Sequence, residues 1–324
     1  MKNGFGAKSS RGVPSSAGKQ SAAARKQSIV FFGTGPVAAK SLQEISDEFA
    51  IELVVTKPKP AKHKYNAPVE DFAHGRKLKV LLVNDKNDIA NKLKQENIKS
   101  PVGLVIDFGI IIPTNAVKIF PEGIINSHFS LLPRWRGADP ITYAILNGDK
   151  ETGVSLMKIT DKLDEGPLIA QKSIVLDNKV NSTELTPQLI KLSNEMLKEF
   201  LPKYINGEIS PIPQTADNIT YSRKLTKQDG VVDWSKPAQQ IEREVRAYAG
   251  WPKSRAKIGG IECIILDTEV VNSQNKPGML KIDNNQLIIH CKKDALLINK
   301  IQPAGKKPMT ASEFIRGYSR KLAG

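Results

Sequence analysis

Short apolar runs recur along the first part of the chain, with polar stretches of helical length between them. The runs are Ile29 to Phe32, Ile51 to Val55, Val80 to Val83, Val102 to Ile106, Ile124 to Ile125 and Val154 to Ile159. Strands alternating with helices predict an α/β fold built on a doubly wound, mostly parallel sheet. Thr186-Pro187 offers a capping hydroxyl and a proline suited to the first helical position, so a helix is expected to start there. Leu189, Leu192, Met196 and Phe200 then recur at helical spacing and give it a face to pack on the sheet. The rhythm changes afterwards. Gly207 to Thr220, GEISPIPQTADNIT, has two prolines and few large residues and reads as a linker. Beyond it, one helix over Pro237 to Tyr248 precedes short strand-like runs at Glu262 to Leu266, Met279 to Ile282, Gln286 to Cys291 and Ala295 to Ile301, a spacing that predicts a small barrel.

A chain of 324 residues with this change of rhythm is expected to form two domains, 28–206 and 221–324, joined by the linker 207–220. The formal net charge of +15 calls for a polyanionic partner, and charge alone does not separate nucleic acid from a membrane surface. The excess is uneven. Residues 207–324 carry 19 Lys and Arg against 12 Asp and Glu, and residues 1–27 carry six basic residues and no acidic one. Residues 1–27, rich in Ser, Gly and Ala, have too little apolar surface to offset ordering and read as a disordered tail. They lack the apolar centre of a secretory signal, and their scarce apolar residues do not make the amphipathic helix of a transit peptide. Cys263 and Cys291 stand in neither a metal spacing nor a disulfide framework, and no run approaches the length of a membrane span. The protein is expected to be soluble and cytoplasmic, with no membrane partner and no metal.

Two motifs tempt and are set aside. Gly33-Thr34-Gly35-Pro36-Val37-Ala38 satisfies a loose dinucleotide fingerprint. The acidic residue such a site needs about twenty positions on is replaced by Val54-Val55-Thr56-Lys57, so tight-turn packing is preferred. Asp107-Phe108-Gly109 has the letters of a kinase magnesium motif, without the glycine-rich loop or the His-Arg-Asp loop that would give it meaning. Lys57, Lys59, Lys62 and Lys64 lie in a proline-containing stretch with no apolar stripe, which reads as a surface loop. Trp234 and Trp251 have the faces to stack on bases, although buried packing is the commoner role for tryptophan.

The chemistry gathers between Ile124 and Gly166. Asn126 and His128 end an apolar run and precede the turn Leu132-Pro133-Arg134, and Asp164 lies in the LDEG turn after the next strand. A carboxylate beside an imidazole fixes its tautomer, and an asparagine supplies a neutral donor for a carbonyl oxygen becoming negative. Taken singly, each has an ordinary structural reading as cap, satisfied histidine or turn residue. Together, with no Ser or Cys nucleophile evident, they suit acyl-type transfer by direct attack of an amine.

The ordered string Asn126, His128, Ser130-Leu131-Leu132-Pro133, Arg136-Gly137, Pro140, Gly148-Asp149, Thr152-Gly153-Val154 and Leu163-Asp164-x-Gly166 resembles the folate-dependent formyltransferase family. Tyr221 to Leu225, Asp233-Trp234, Trp251-Pro252 and Gln302 to Lys307 extend the resemblance over nearly everything after Ser28. It implies a Rossmann-like catalytic domain and an open barrel resembling an OB-fold, a class that often binds nucleic acid. It implies formyl transfer from 10-formyltetrahydrofolate to the α-amino group of methionine on initiator tRNA; a monomer is expected. It also implies that Asn126 and a protonated His128 stabilise the oxyanion, that Asp164 orients His128 and helps remove the amine proton, and that Ser130, Leu131, Leu132 and Pro133 hold the folate. Lys57, Lys59, Lys62 and Lys64 fall where the family has a basic loop near the tRNA acceptor end, and Phe108 falls where a folate-pocket aromatic is usual, with plain strand-end packing an equal reading. Two rivals stay open: the same chemistry on a small amine such as an amino sugar nucleotide, and a nucleic-acid-binding protein without catalysis.

Overall fold

The computed structural model describes Met1 and residues 26–59 and 67–322. The reading of residues 1–27 as a tail therefore lies almost wholly outside the described residues, as do Lys62 and Lys64. The chain begins β1 (Ser28–Phe32), α1 (Pro36–Ile45), β2 (Ala50–Thr56), α2 (Pro68–Gly75), β3 (Val80–Leu82), α3 (Lys86–Gln95), β4 (Val102–Val105), the single turn α4 (Thr114–Val117) and β5 (Ile124–His128). It continues through β6 (Arg136–Gly137), α5 (Pro140–Asn147), β7 (Glu151–Lys158), β8 (Leu168–Val175) and the long α6 (Ser182–Ile205). The remainder is β9 (Tyr221–Ser222), α7 (Ala238–Ala247), β10 (Ser254–Ile258), β11 (Ile261–Val271), β12 (Leu280–Asp283), β13 (Gln286–His290), β14 (Ala295–Pro303), β15 (Met309–Thr310) and α8 (Ala311–Leu322).

Seven strands form one sheet in the order β3-β2-β1-β4-β5-β7-β8. Pairing is parallel from β3 to β5 and antiparallel from β5 through β7 to β8. The apolar runs are continuous because the inner strands are covered on both faces, and the two-residue period of a strand then sorts them into two cores. Ile29 and Phe31 of β1 join Leu42 and Ile45 of α1 and Leu189 and Leu197 of α6. Val30 and Phe32 face the other way, onto Ile89 and Leu93 of α3 and Phe120. The chain order reverses direction between β1 and β4, the place where an open α/β sheet leaves a crevice at its carboxyl edge.

The long helix starts four residues before the expected Thr186. The Asn181 side chain accepts from the backbone N–H of Thr183 and Glu184 at 3.0 and 3.1 Å, and Glu184 accepts from the Asn181 N–H at 3.1 Å. This reciprocal cap satisfies orphan groups on both sides, which a threonine before proline does not. The Thr186 hydroxyl donates instead to the Ser182 carbonyl at 2.7 Å, inside the helix.

The second, antiparallel sheet runs β10-β11-β14-β13-β12, with β15 on β14. Its core joins Ile265, Leu287, Ile298 and Ile301 to Ile241 and Val245 of α7 and Phe314 of α8. Cys263 and Cys291 are buried free thiols in this core, and burial pushes both up to about 11, out of reactive range. Trp234 packs against the same core, whereas Trp251 is 57% exposed. No helix among the described residues is long and apolar enough to cross a membrane.

The stretch 207–220 is fastened to the first sheet. Ile212 and Leu168 exchange backbone hydrogen bonds of 2.7 and 2.8 Å, and the Thr220 carbonyl accepts from the Arg136 N–H at 3.0 Å. Directly after it, β9 pairs in parallel with β6, Arg136 opposite Tyr221 and Gly137 opposite Ser222.

Candidate active site

β5 supplies two site residues because it is short and changes character midway. Ile124 and Ile125 are fully buried, one on each face, and the strand then continues as Asn126, Ser127 and His128. Ser127 follows Ile125 toward α6, where its hydroxyl lies 2.7 Å from that of Ser193. Asn126 and His128, two apart, share the opposite face at the carboxyl end of the strand.

Asp164 reaches them from the loop joining β7 to β8. β7 lies antiparallel beside β5, so this loop leaves at the wrong end of the pair and must fold back. Two backbone features let it do so: Asp164 sits at φ 51°, and a methyl on Gly166 would lie 1.7 Å from the Lys158 carbonyl, which only glycine permits. The Asp164 carboxylate accepts from Asn126 Nδ2 at 3.3 Å through Oδ1 and from the Gly137 N–H at 2.8 Å through Oδ2. His128 Nδ1 stands 3.7 Å from Oδ2, an ion-pair approach longer than a hydrogen bond.

The His128 tautomer follows from its other side. Nε2 lies 2.9 Å from the Trp135 carbonyl, which can only accept, so Nε2 carries the hydrogen. Only Nδ1, facing Asp164, is left to take or release a proton. Trp135 is itself fixed: its backbone N–H donates to Thr220 Oγ1 at 2.9 Å, its indole N–H donates to Asp149 Oδ2 at 2.7 Å, and the Arg134 guanidinium covers its ring at 4.3 Å.

The turn 130–133 presents a surface less polar than its sequence. Ser130 is fully buried and its hydroxyl donates to the Arg134 carbonyl at 2.6 Å. Leu132 is buried too, its N–H donating to Ser155 Oγ at 3.0 Å and its carbonyl accepting from Gln171 at 2.8 Å. Leu131 and Pro133 keep half-buried apolar faces. Of the basic stretch, Lys59 is exposed, whereas Lys57 is half-buried and donates to the Gly109 carbonyl at 2.7 Å. Burial and the nearby Lys224 hold the Lys57 ammonium below its usual range.

At the β1–β4 crevice, Thr34 donates by its N–H to the Asp107 carbonyl at 3.0 Å and by its hydroxyl to the Phe108 carbonyl at 2.8 Å. Phe108 is buried edge-on against Phe32, with ring centroids 5.6 Å apart, so it packs the strand end. A methyl on Gly35 would meet the Asp107 carboxylate at 2.3 Å. That puts a negative group at the start of α1, where a dinucleotide phosphate would need to come.

Asp107, at the end of β4, keeps part of its residue surface exposed, while the protein packed around its carboxylate takes that group away from bulk water. That burial, and then the Asp139 carboxylate, push its pKa up to about 6 against the pull of Lys57 and Lys224. A carboxyl whose folded pKa is raised binds more protons folded than unfolded, so its ionisation destabilises the fold above pH about 6 and ceases to matter below about 4. Asp107→Asn should therefore raise the melting temperature at pH 7.5, and the gain should shrink steadily as the pH falls from about 6 toward 4. Melting curves across that range check it, and a gain that grows on acidification would reverse the sign argued here.

The structure thus brings Asn126, His128 and Asp164 together, places the 130–133 turn immediately after β5, and holds Lys57 at the neighbouring β4 turn. Sequence reasoning missed Trp135 and Gln214, and gave Gly137, named within the Arg136-Gly137 motif, no role. Gln214 Nε2 donates to the carbonyls of Asp164 and Gly166, each at 2.8 Å, and its oxygen accepts from buried Arg136 at 2.8 and 3.2 Å. A lone glutamine in a low-hydropathy stretch fifty residues away carries no signal of this. Among the described residues, no group of three or more His, Cys, Asp or Glu is placed to hold a metal.

A family model described as Formyl transferase matches residues 26–201, and one described as Formyl transferase, C-terminal domain, matches residues 224–319. The chain is 35% identical over 302 residues to the methionyl-tRNA formyltransferase of Myxococcus xanthus (strain DK1622), covering 91% of this chain and 96% of that one. It is 37% identical over 294 residues to the enzyme of the same name from Thermodesulfovibrio yellowstonii, covering 89% and 95%. Two solved structures share the fold. WlaRD, a sugar 3N-formyl transferase crystallised with dTDP and 5-N-formyl-THF, superposes with a TM-score of 0.63 at 20% identity over 87% of this chain and all of that one. Methionyl-tRNA formyltransferase from Clostridium thermocellum superposes with a TM-score of 0.51 at 17% identity over 84% and 99%. The fold alone is common to sugar and tRNA enzymes, and it is the sequence identity along almost the whole length that decides: the chain belongs to the methionyl-tRNA formyltransferase family.

Proposed function

We propose that this protein transfers a formyl group from 10-formyltetrahydrofolate to the α-amino group of methionine on initiator tRNA, with Asn126, His128 and Asp164 carrying the chemistry. The observation that bears this reading is the convergence of Asn126 Nδ2 and His128 Nδ1 on the Asp164 carboxylate at the carboxyl end of β5. The free amine attacks the formyl carbon, a C–N bond forms, and the carbonyl oxygen becomes negative. One Asn126 amide hydrogen is committed to Asp164, and the second is free to meet that oxygen. With Nε2 committed to Trp135, a protonated His128 meets the same oxygen through Nδ1, while Asp164 orients the imidazole and helps take the proton the amine loses, which passes to the departing folate nitrogen as the old C–N bond breaks. The apolar faces of Leu131 and Pro133, set by the buried Ser130 and Leu132, suit a flat heteroaromatic donor. Residues 28–206 hold the donor and the catalytic groups, 207–220 connect, and 221–324 supply surface for tRNA.

The test is a formylation assay offering methionyl initiator tRNA, uncharged tRNA and an amino sugar nucleotide in parallel. Formyl-methionine on the charged tRNA alone is the expected result, and formylation of the sugar in its place overturns the reading. Lys59, Lys62 and Lys64 are assigned to tRNA phosphates, so affinity should fall with salt on a log-log line of slope about 0.7 to 0.9 per phosphate neutralised. The triple alanine variant at these lysines should bind tRNA more weakly with a shallower slope and unchanged donor affinity. Lys57 stays out of this variant because its ammonium is spent on Gly109. Identical slopes for variant and wild type would remove the loop from the tRNA interface.

A further inference from the structure

The catalytic aspartate is held by a residue from outside the sheet that carries it. Asp164 occupies left-handed backbone, which a residue with a side chain keeps only when its surroundings fix it. The aim of its carboxylate therefore depends on what pins the 164–166 turn. The turn's two inward carbonyls, Asp164 and Gly166, both accept from Gln214 Nε2 at 2.8 Å. The same carboxamide accepts from Arg136 Nη2 at 2.8 Å and Nε at 3.2 Å. Carbonyls demand donors and a guanidinium demands an acceptor, so only one orientation of the amide fits, and both of its ends are satisfied.

Arg136 is the second link. It is buried, it lies 3.4 Å from the Glu165 carboxylate, and it immediately precedes Gly137, whose N–H holds Asp164 Oδ2. Gln214 thus fastens Asp164 twice, through its own turn and through the strand that grips its carboxylate. We propose that Gln214 is a positioning residue for formyl transfer, fixing the Asp164 turn and β6 in one geometry, and that docking of 207–220 completes the active site. This rests on Asp164 having the role given above.

Gln214→Met keeps length and loses every polar contact, and Gln214→Glu keeps the acceptor for Arg136 and loses both donors. For each, kcat per folded molecule should fall about ten- to a hundredfold, the scale on which catalytic groups respond to sub-ångström displacement. KM for tRNA and for the formyl donor should stay within about twofold, because Gln214 is assigned contact with neither substrate. Asp164→Ala and the double variant Asp164→Ala/Gln214→Met should turn over at the same residual rate, since a group acting through Asp164 has nothing further to lose once it is gone. Either single Gln214 variant with wild-type kcat overturns the proposal, and so does a double variant slower than Asp164→Ala by the full Gln214 factor. Loss confined to melting temperature, with kcat per folded molecule intact, would make Gln214 purely structural. An Asp164→Ala variant of wild-type turnover would instead bring down the reading of Asp164 itself, and the proposal with it.

Discussion

Asn126→Ala and Asp164→Ala should each lower turnover at least a hundredfold while tRNA affinity changes by no more than a few fold. Removing one preorganised donor from a developing oxyanion costs about 10² to 10³ in rate, roughly 3 to 4 kcal/mol, because water in the gap is not already aimed at the charge. On the proposed mechanism Asn126 is that donor, and its loss also frees one oxygen of Asp164. Loss of Asp164 is expected to be as severe for another reason. The Gly137 N–H and His128 Nδ1 both lose their negative partner, while Nε2 stays tied to the Trp135 carbonyl, so the imidazole keeps its place and loses the charge beside it. Neither side chain belongs to the basic loop, so binding should survive. Single-turnover rates with saturating enzyme, set beside filter binding of tRNA, separate the two quantities. Near-wild-type turnover in either variant would mean that the chemistry lies elsewhere.

A large loss of stability should come from adding one methyl group, in Gly137→Ala. Its Cβ would lie 2.0 Å from the Ser222 carbonyl, and the backbone sits at φ 117°, which residues with side chains rarely adopt. Neither strand can step aside. The Ala138 N–H donates to Ser222 at 3.1 Å and the Arg136 N–H donates to Thr220 at 3.0 Å, so relief means breaking the β6–β9 pairing. Backbone strain of about 1–3 kcal/mol and lost hydrogen bonds of about 1 kcal/mol each put the cost at roughly 2–5 kcal/mol. At about 2–4 °C per kcal/mol for a unit of this size, the melting temperature should drop by roughly 4 to 20 °C. Activity should fall with it, since the Gly137 N–H holds Asp164. Gly317→Ala is the control. It adds a methyl to α8 with nothing within 4 Å, and should leave the melting temperature unchanged or slightly raised. Equal melting temperatures for Gly137→Ala and wild type would show that β9 gives way easily.

The sheet was legible in the sequence where strands are buried on both faces, as at Ile29 to Phe32, because an unbroken apolar run between polar helices has few other uses. β8 was not. Its residues alternate between half-buried and exposed over most of its length, at the edge of the sheet, so LIAQKSIV shows no apolar run. The start of α6 was misplaced because Thr186-Pro187 and Asn181-x-x-Glu184 are both credible starts, and only the two reciprocal hydrogen bonds choose between them. Asn126, His128 and Asp164 were legible as a group through the ordered string that carries the family resemblance, since each taken singly has an ordinary structural use. What holds them was not. Trp135 acts through its carbonyl, Gly137 through its N–H and Gln214 through the carbonyls of a distant turn, and backbone groups look the same in every residue.

The pairing of β6 with β9 bears on how such a chain can be divided and recombined. Composition draws a seam at the end of α6, yet Gln214, Thr220 and Ser222 lie past that seam and touch Arg136, Trp135 or the Asp164 turn. A gene fragment ending near residue 206 would encode Asn126, His128 and Asp164 and omit Gln214, Thr220 and Ser222. The smallest portable module therefore runs through Ser222, and a chimera that grafts a different tail onto this catalytic half inherits a working centre only when the crossover falls beyond that residue.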